Sequence, residues 1–154
     1  MREFNLYHCL LFKGVDRPYV DEFLASCKRV ELHQGEFLFH QNEEGDDMYI
    51  VEQGKLEVIL EQNDLQQLQV IDTREPGALI GELCVFGQQK RSASIRALVD
   101  SKLLKIEGDD FRVRIYSKEL DVLLICYNIA KLLSERLIAT NTLLALALHH
   151  PLKE

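Results

Sequence analysis

Hydrophobic residues recur along this chain with two different spacings, and the change of spacing divides it into three parts. Segment 16–28 has the spacing of an amphipathic helix, with Asp16 placed to cap it and Pro18 in its first turn. From about 29 to 107, apolar and polar residues alternate in short runs between turn residues. From about 109 to 148 the helical spacing returns. The pattern predicts a β domain with helices on both sides.

The middle part predicts about eight short strands. Apolar residues alternate with polar neighbours in most of the runs, although Ile59 stands at a position that the alternation assigns to a polar residue. Many short strands with regularly spaced turns are typical of a β-sandwich or a β-barrel. The apolar strand positions are Val30, Leu32, Phe37, Phe39, Met48 to Val51, Leu56, Val58, Leu60, Leu68, Val70, Ala78 to Ile80, Ile95, Ala97, Val99, Leu103, Leu104 and Ile106.

Two helices are predicted after the strands. Asp109 or Asp110 can cap a short helix that ends near Tyr116, and a long helix follows from about Lys118 to Leu148. At 1.5 Å per residue the long helix measures roughly 45 Å, which is more than is needed to cover a small β domain.

The long helix carries a heptad-like row of residues. We expect its first half to pack on the strands and its second half, from Leu137 onward, to form a two-fold dimer seam. The alternative is a helix that packs only on its own chain, and Ser134 and Asn141 do interrupt the apolar row. The row is Leu123, Tyr127, Ala130, Ser134, Leu137, Asn141, Leu144 and Leu148.

Composition and charge exclude several classes of function and location for this chain. A net charge of −7 argues against sequence-independent binding to a nucleic-acid backbone, and 47% hydrophobic residues suffice for the core of one domain, 1–154. The N-terminus does not read as a signal peptide, and no apolar stretch is long enough to span a membrane. The cysteines are scattered, which favours reduced thiols in a cytoplasmic protein without a zinc or redox centre. They are Cys9, Cys27, Cys84 and Cys126.

The stretch 76–97, PGALIGELCVFGQQKRSASIRA, carries the residues best suited to bind a ligand. Gly81 permits a close approach of the backbone, and the helical turn predicted after it favours an anion. The guanidinium of Arg91 matches phosphate oxygens, whereas the carboxylate of Glu82 suits a sugar hydroxyl. These groups predict a site for a small ligand with one phosphate and one free hydroxyl.

This stretch resembles the phosphate-binding cassette of the cyclic nucleotide-binding domain family, of the catabolite activator protein and cAMP-dependent kinase regulatory subunit type. The cassette pattern G-E-[LI] … R-[STA]-A is met by Gly81-Glu82-Leu83 and Arg91-Ser92-Ala93. The resemblance implies that Glu82 takes the ribose 2′-hydroxyl, that Arg91 takes the phosphate, and that backbone around Gly81, Cys84, Ser92 and Ala93 adds contacts. Because serine follows Arg91, it also implies that cAMP is preferred over cGMP.

The resemblance extends over roughly residues 15 to 145 and implies a fold. That fold is an eight-stranded jelly-roll β-barrel (a double-stranded β-helix), here about 29–107, with N-terminal helices and C-terminal helices at about 109–148. In the family the long helix pairs two subunits and closes over the base. Arg136, Thr140 and Asn141 are the polar residues that would form this lid.

The predicted function is therefore a non-enzymatic regulatory sensor for a cyclic nucleotide, without a further cofactor, that signals through its long helix to a dimer mate or an effector protein. Too few residues follow that helix for a helix-turn-helix domain, so we expect no DNA binding by this chain alone. A scaffold that retains the fold without binding nucleotide is the alternative. An enzyme is less favoured, because no catalytic constellation stands out. A haem or metal sensor is also less favoured, because the histidines are isolated or lie in the tail; they are His8, His33, His40, His149 and His150.

Overall fold

The computed structural model describes residues 4–62, 67–87 and 90–149. Within them lie two short 3-10 turns, Leu6–His8 and Leu10–Phe12, and four α-helices: α1 Arg17–Ser26, α2 Glu82–Val85, α3 Gly108–Tyr116 and α4 Leu120–His149. The strands are β1 Lys28–Leu32, β2 Phe37–Phe39, β3 Met48–Gln53, β4 Leu56–Gln62, β5 Gln67–Arg74, β6 Leu79–Ile80, β7 Ser94–Ala97 and β8 Ser101–Ile106.

The eight strands form two antiparallel four-stranded sheets, in the orders β1-β8-β3-β6 and β2-β7-β4-β5. This confirms the prediction of a mainly β domain with flanking helices. No strand pairing within the described ranges joins the two sheets, so the closed jelly-roll barrel is not confirmed. The paired strands occupy Lys28–Ile106, and the helices that follow them run from Gly108 to His149.

Two apolar clusters form the core. One lies between the sheets, because it contains residues of both, such as Leu103 of β8 and Leu56 of β4. The other joins the outer side of the β8-containing sheet to the helices, where the ring of Phe23 lies edge-on to those of Phe12 and Phe111. The helices before and after the strands therefore share one core.

The predicted helix caps are only partly right. Asp16 does stand at the N-cap of α1, and Pro18 lies in its first turn, but the Asp16 side chain makes no capping hydrogen bond. The prediction that Asp109 or Asp110 caps α3 was wrong, because α3 begins earlier and its N-cap is Glu107. Gly108 can start this helix because its N–H donates to the Asp47 carboxylate at 3.2 Å, which satisfies one of the donors left open at a helix start.

Helix α4 has two distinct faces. Val122, Ile125 and Ile129 are buried in the core, as expected of the first half of the helix. All eight positions of the predicted seam are exposed, and so is every residue from Leu137 to His149. The seam is thus a separate face from the one that packs on the sheets. None of the helices in the described ranges has the length and apolarity needed to cross a membrane.

Candidate functional site

A pocket lies where β6, α2 and the start of β7 meet, and its empty space, counted together with the open solvent at its mouth, is about 460 Å³. Apolar side chains such as Leu79, Ile80 and Ile95 form part of its wall. The structure brings all of the cassette residues predicted from the sequence into this one lining. They are Gly81, Glu82, Leu83, Cys84, Arg91, Ser92 and Ala93.

Gly81 sets the geometry of the cassette. Its φ of 76° lies in the left-handed region, which lets β6 end and α2 begin within one residue. A Cβ at Gly81 would also stand 2.6 Å from Nη1 of Arg91, so a side chain here would displace the guanidinium. The N–H of Cys84 donates to the Gly81 carbonyl at 3.2 Å, which closes the single turn of α2.

Arg91 is the central cation of the pocket. It is only 4% exposed, and its guanidinium lies 4.2 Å above the ring centre of Phe39. Its Nη1 donates to the backbone carbonyl of Asp47 at 2.7 Å, and more weakly to that of Gly81 at 3.4 Å. Its Nε is buried without a hydrogen-bond partner, and no carboxylate pairs with Arg91 among the residues that the structure describes. A buried cation with an unmet donor favours an anionic partner.

Glu82, the first residue of α2, is 5% exposed and forms an ion pair with Arg136 of α4. Arg136 also donates to the Leu79 carbonyl at 2.9 Å and lines the pocket. Burial lowers the pKa of Arg136, and the charge of Glu82 partly opposes this. The carboxylate predicted to accept a ribose hydroxyl is therefore held in place by the long helix.

Of the three predicted lid residues, only Arg136 reaches the pocket. The hydroxyl of Thr140 donates to the Arg136 carbonyl at 2.9 Å, one turn back along α4. Thr140 and Asn141 are both exposed and do not line the pocket. One chain alone, in this arrangement, does not bring them to the site.

Arg74 belongs to the pocket and was not predicted. It ends β5, lines the pocket, and its Nη1 donates to the Asp72 carboxylate and, at 3.0 Å, to the Thr73 carbonyl. The sequence gives no signal that separates this arginine from other surface cations, because its neighbours in the chain belong to an ordinary alternating strand. Phe39 and Val58, which were predicted only as strand residues, line the pocket as well.

A hydrogen-bonded serine, glutamate and histidine lie on β7, β4 and the turn after β2. The Ser94 hydroxyl donates to Glu61, whose Oε1 also contacts Nδ1 of His40 at 2.9 Å. The carboxylate is in the middle of this row, so the imidazole does not touch the hydroxyl that it would have to activate. Ser94 is also completely buried. The row therefore lacks the geometry of a nucleophile-activating triad.

Within the described ranges, no group of three or more His, Cys, Asp or Glu side chains is placed to hold a metal ion. His33 lies 3.9 Å from Asp100, and His8 and His149 are exposed, while His150 lies outside the described residues.

Comparisons with a family model and with known proteins all point to the same protein family. Residues 29–115 match the family model described as the cyclic nucleotide-binding domain. The chain is 31% identical over 127 residues to the "Cyclic AMP receptor protein" of Thermus thermophilus, covering 82% of this chain and 56% of that protein. It is 26% identical over 108 residues to the Drosophila melanogaster type II regulatory subunit of cAMP-dependent protein kinase, covering 70% of this chain and 27% of that one.

Solved structures agree. The crystal structure of the Thermus thermophilus catabolite activator protein superposes with a TM-score of 0.78 and 30% identity, covering 89% of this chain and 62% of that one. The N-terminal domain of a transcriptional regulator from Streptomyces coelicolor A3(2) gives a TM-score of 0.73 and 28% identity, covering 86% and 91%. The chain spans only about half of the Thermus receptor protein. With the family model matching more than half of its length, this chain belongs to the cyclic nucleotide-binding domain family.

Proposed function

We propose that this chain binds a 3′,5′-cyclic nucleotide in the pocket around Arg91 and acts as a regulatory sensor domain. The observation that carries the proposal is the charge balance of the pocket. Arg74 is paired with Asp72 and Arg136 with Glu82, which leaves Arg91 as the one pocket arginine without a carboxylate partner among the described residues. A ligand with a single negative charge would balance it, and a cyclic phosphodiester carries one.

The other polar group of the pocket supports the same ligand. Glu82 is acceptor-only when ionised, so a ligand hydroxyl can donate to it, and the ribose of a cyclic nucleotide has one free hydroxyl. Phe39, Ile80 and Ile95 supply apolar contact surface for the rest of the ligand. We propose cAMP as the preferred ligand and cGMP as the weaker one, on the ground that Ser92 follows Arg91.

Calorimetric titration of the purified protein with cAMP, cGMP and 5′-AMP, after a check for co-purified nucleotide, tests this function. We expect saturable binding of cAMP and much weaker binding of 5′-AMP, whose phosphate carries a second charge and leaves the ring open. Absence of heat with all three ligands, with no nucleotide bound beforehand, would favour the scaffold alternative.

We propose that α4 transmits the effect of ligand binding to a dimer mate or an effector protein. This helix places Arg136 in the pocket and exposes the apolar seam positions Leu137, Leu144 and Leu148 further along. The seam would pair two copies around a two-fold axis, and Thr140 and Asn141 would complete the lid only in that assembly or after a movement of the helix. A ligand shifts such an arrangement only through a difference in affinity between its states.

The remaining expectations belong to the same proposal. The two sheets would close into the jelly-roll barrel of the family, and the chain would act in the cytoplasm as a binding protein, without catalysis. Its effector would be another protein or the dimer mate. We expect no DNA binding by this chain alone, because its net charge of −7 opposes contact with a phosphate backbone.

A further inference from the structure

The backbone of Arg91 is held by a turn rather than by a regular strand. The N–H of Asn42 donates to the Arg91 carbonyl at 2.8 Å, and the N–H of Arg91 donates to the Glu43 carbonyl at 2.9 Å. Strand β7 begins only at Ser94. The turn after β2, which comprises residues 40–43 and is called the 40–43 turn, therefore sets the place from which the Arg91 side chain enters the pocket.

One carboxylate fastens the 40–43 turn to two strands. Oε1 of Glu61, on β4, accepts from the Ser94 hydroxyl of β7 and contacts Nδ1 of His40 at 2.9 Å. An ionised carboxylate only accepts, so the imidazole donates from Nδ1. Gln41 adds two bonds at the same place: its N–H donates to the Ser94 hydroxyl oxygen at 2.6 Å, and its side-chain oxygen accepts from the Glu61 N–H at 2.7 Å. Hydrogen bonds from Ser94 and His40 lower the pKa of Glu61, so this anchor is ionised at neutral pH.

The 40–43 turn has internal bonds that keep its shape, but these bonds do not fix its position. The His40 N–H donates to the Glu43 carboxylate at 2.7 Å, and the Glu43 N–H donates to the His40 carbonyl at 3.2 Å. Asn42 has a φ of 67°, a left-handed conformation that asparagine tolerates better than most residues. Loss of the Glu61 side chain would remove the bond to His40 and the partner that orients the Ser94 hydroxyl. The turn would then hold Arg91 less firmly.

A shift of Arg91 would act on the phosphate side of the site alone. Nη1 of Arg91 donates to the Asp47 carbonyl at 2.7 Å, a contact that needs the arginine backbone in its place. Glu82, the proposed partner of the ribose hydroxyl, is held separately by Arg136 of α4. Glu61 itself does not line the pocket. Its effect on a ligand would therefore pass through Arg91 and spare the hydroxyl contact.

We propose that Glu61 is a positioning residue of the phosphate site, which anchors the 40–43 turn through His40 and Ser94 and so places Arg91. This inference rests on the proposed cyclic-nucleotide site and adds to it a residue that the cassette does not contain. It also gives the hydrogen-bonded serine, glutamate and histidine a role that needs no chemistry at the serine.

The test is titration of the full chain and of its Glu61 variants with cAMP and 2′-deoxy-cAMP. We expect Glu61→Ala to weaken cAMP binding about tenfold, the scale of one weakened charge-assisted contact, and to change the ratio of the two affinities by less than about twofold. Glu61→Gln should recover most of the cAMP affinity, because His40 and Ser94 both contact Oε1 and an amide oxygen in that position accepts both bonds. His40→Phe, which keeps the stacking on Phe37 and loses the donor, should weaken cAMP binding about threefold.

Hydrogen exchange in the absence of ligand measures the hold on Arg91 directly. The amides of Asn42 and Arg91 should exchange faster in Glu61→Ala than in the unaltered chain, because the 40–43 turn opens more often. The amide of Cys84, which donates to the Gly81 carbonyl within the cassette, should keep its rate. A general loss of stability would instead accelerate all three amides.

Glu57 supplies a matched control on the same strand. It makes two hydrogen bonds to Arg96 of β7 and does not line the pocket. Glu57→Ala therefore removes a carboxylate that joins β4 to β7 without touching the 40–43 turn, and it should leave the cAMP affinity unchanged.

Three results would overturn the positioning role while leaving the site itself intact. They are unchanged cAMP affinity in Glu61→Ala, an equal loss in Glu57→Ala, and a collapse of the ratio between the cAMP and 2′-deoxy-cAMP affinities. If Glu61→Ala does not fold, the cAMP affinity of His40→Phe decides in its place, and an unchanged value overturns the role. Failure of the proposed function would show differently, as absence of cAMP binding by the unaltered chain, and would overturn both.

Discussion

Replacement of Arg91 by methionine distinguishes the contribution of this side chain to ligand binding from its contribution to stability. Methionine is unbranched and of similar length, and its sulfur makes favourable contacts with an aromatic ring, here that of Phe39. The substitution removes the cation and its bond to the Asp47 carbonyl but leaves the apolar contact with the ring. It also removes a donor, Nε, that is buried without a partner.

The expected loss of ligand affinity and the expected change in stability have different magnitudes. Removing one member of a buried, hydrogen-bonded charge pair costs about 2–5 kcal/mol of binding, so the affinity for the cyclic nucleotide should fall roughly 30-fold to several thousand-fold. In the protein without ligand, the lost charge-assisted bond to Asp47 is worth about 1.5–3 kcal/mol. Relief of the desolvation of a buried ion, several kcal/mol, acts in the opposite direction. Because the relief of desolvation is at least as large as the lost hydrogen bond, we expect the free energy of unfolding not to fall.

The assay is calorimetric titration with cAMP together with urea unfolding in the absence of ligand. Arg96→Met is the matched control, because Arg96 also lies over a β2 phenylalanine, Phe37, at 5.6 Å, but makes two hydrogen bonds to Glu57 and does not line the pocket. This control should lose stability, because Glu57 loses its partner, and should keep its affinity. Near-normal affinity of Arg91→Met would refute the reasoning, and so would a loss of more than about 3 kcal/mol of stability, which would make Arg91 a structural cation.

Three further predictions follow from other groups. Glu82→Gln should reduce the discrimination between cAMP and 2′-deoxy-cAMP from about tenfold to less than threefold, measured by titration, because a neutral acceptor makes the weaker hydrogen bond. Leu137→Lys combined with Leu144→Lys should shift sedimentation equilibrium toward the monomer, because both changes place charge in the proposed seam. Hydrogen bonds from neighbouring side chains hold the pKa values of Glu61 and Glu107 below their usual 4.5. Their contribution to stability is therefore present above about pH 4.5 and lost as the pH falls through the folded-state pKa values, so the thermal midpoint should drop below pH 4.5.

Each of these three predictions has a control variant or a result that would contradict it. A Glu82→Gln variant with undiminished discrimination would show that another group reads the hydroxyl. The pair Ile138→Lys and Leu146→Lys lies on exposed positions of α4 outside the seam and should leave the assembly unchanged. If it dissociates the protein as effectively, the interface lies elsewhere. The double variant Glu61→Gln and Glu107→Gln should lose less of its thermal midpoint on acidification, and an identical drop would assign the acid sensitivity to other carboxylates.

Most of the strands could be predicted because each sheet buries one face, so apolar and polar residues alternate along them, although Leu68 and Val70 of β5 follow the alternation and are exposed. The exceptions have local causes. Ile59 is completely buried although the alternation assigned it to the polar side, and its neighbour Val58 is buried as well. Strand β4 pairs with β7 in regular register through both residues, so the two side chains lie on opposite faces of the sheet and the sheet is covered on both faces at this point. Val99 was predicted in a strand but follows the end of β7 and is 44% exposed.

Some residues of the site can be identified from one contiguous stretch of sequence, whereas others reach it only through contacts that depend on the whole fold. The cassette is contiguous, so the chemistry of Glu82 and Arg91 can be read from one stretch of sequence. Arg74 enters the pocket only because β5 pairs with β4 and ends beside the cassette, and such a pairing depends on the whole fold. Arg136 lies 54 residues from Glu82, and its selection rested on the resemblance rather than on any local pattern.

The contact between Arg136 and Glu82 gives the proposed signalling a defined point of action. Arg136 uses Oε1 of Glu82, and a carboxylate has a second oxygen, so a ligand hydroxyl can be accepted while the helix stays attached. Ligand and α4 then bind the same buried anion without competing. Because coupling free energies are reciprocal, the factor by which attachment of Arg136 to Glu82 changes the ligand affinity equals the factor by which the ligand changes that attachment. Arg136→Met imitates the detached state and so measures this factor together with any direct contact between Arg136 and the ligand. A factor near one would leave the helix insensitive to the ligand here. A factor well above one would mean that the ligand holds the long helix on the pocket.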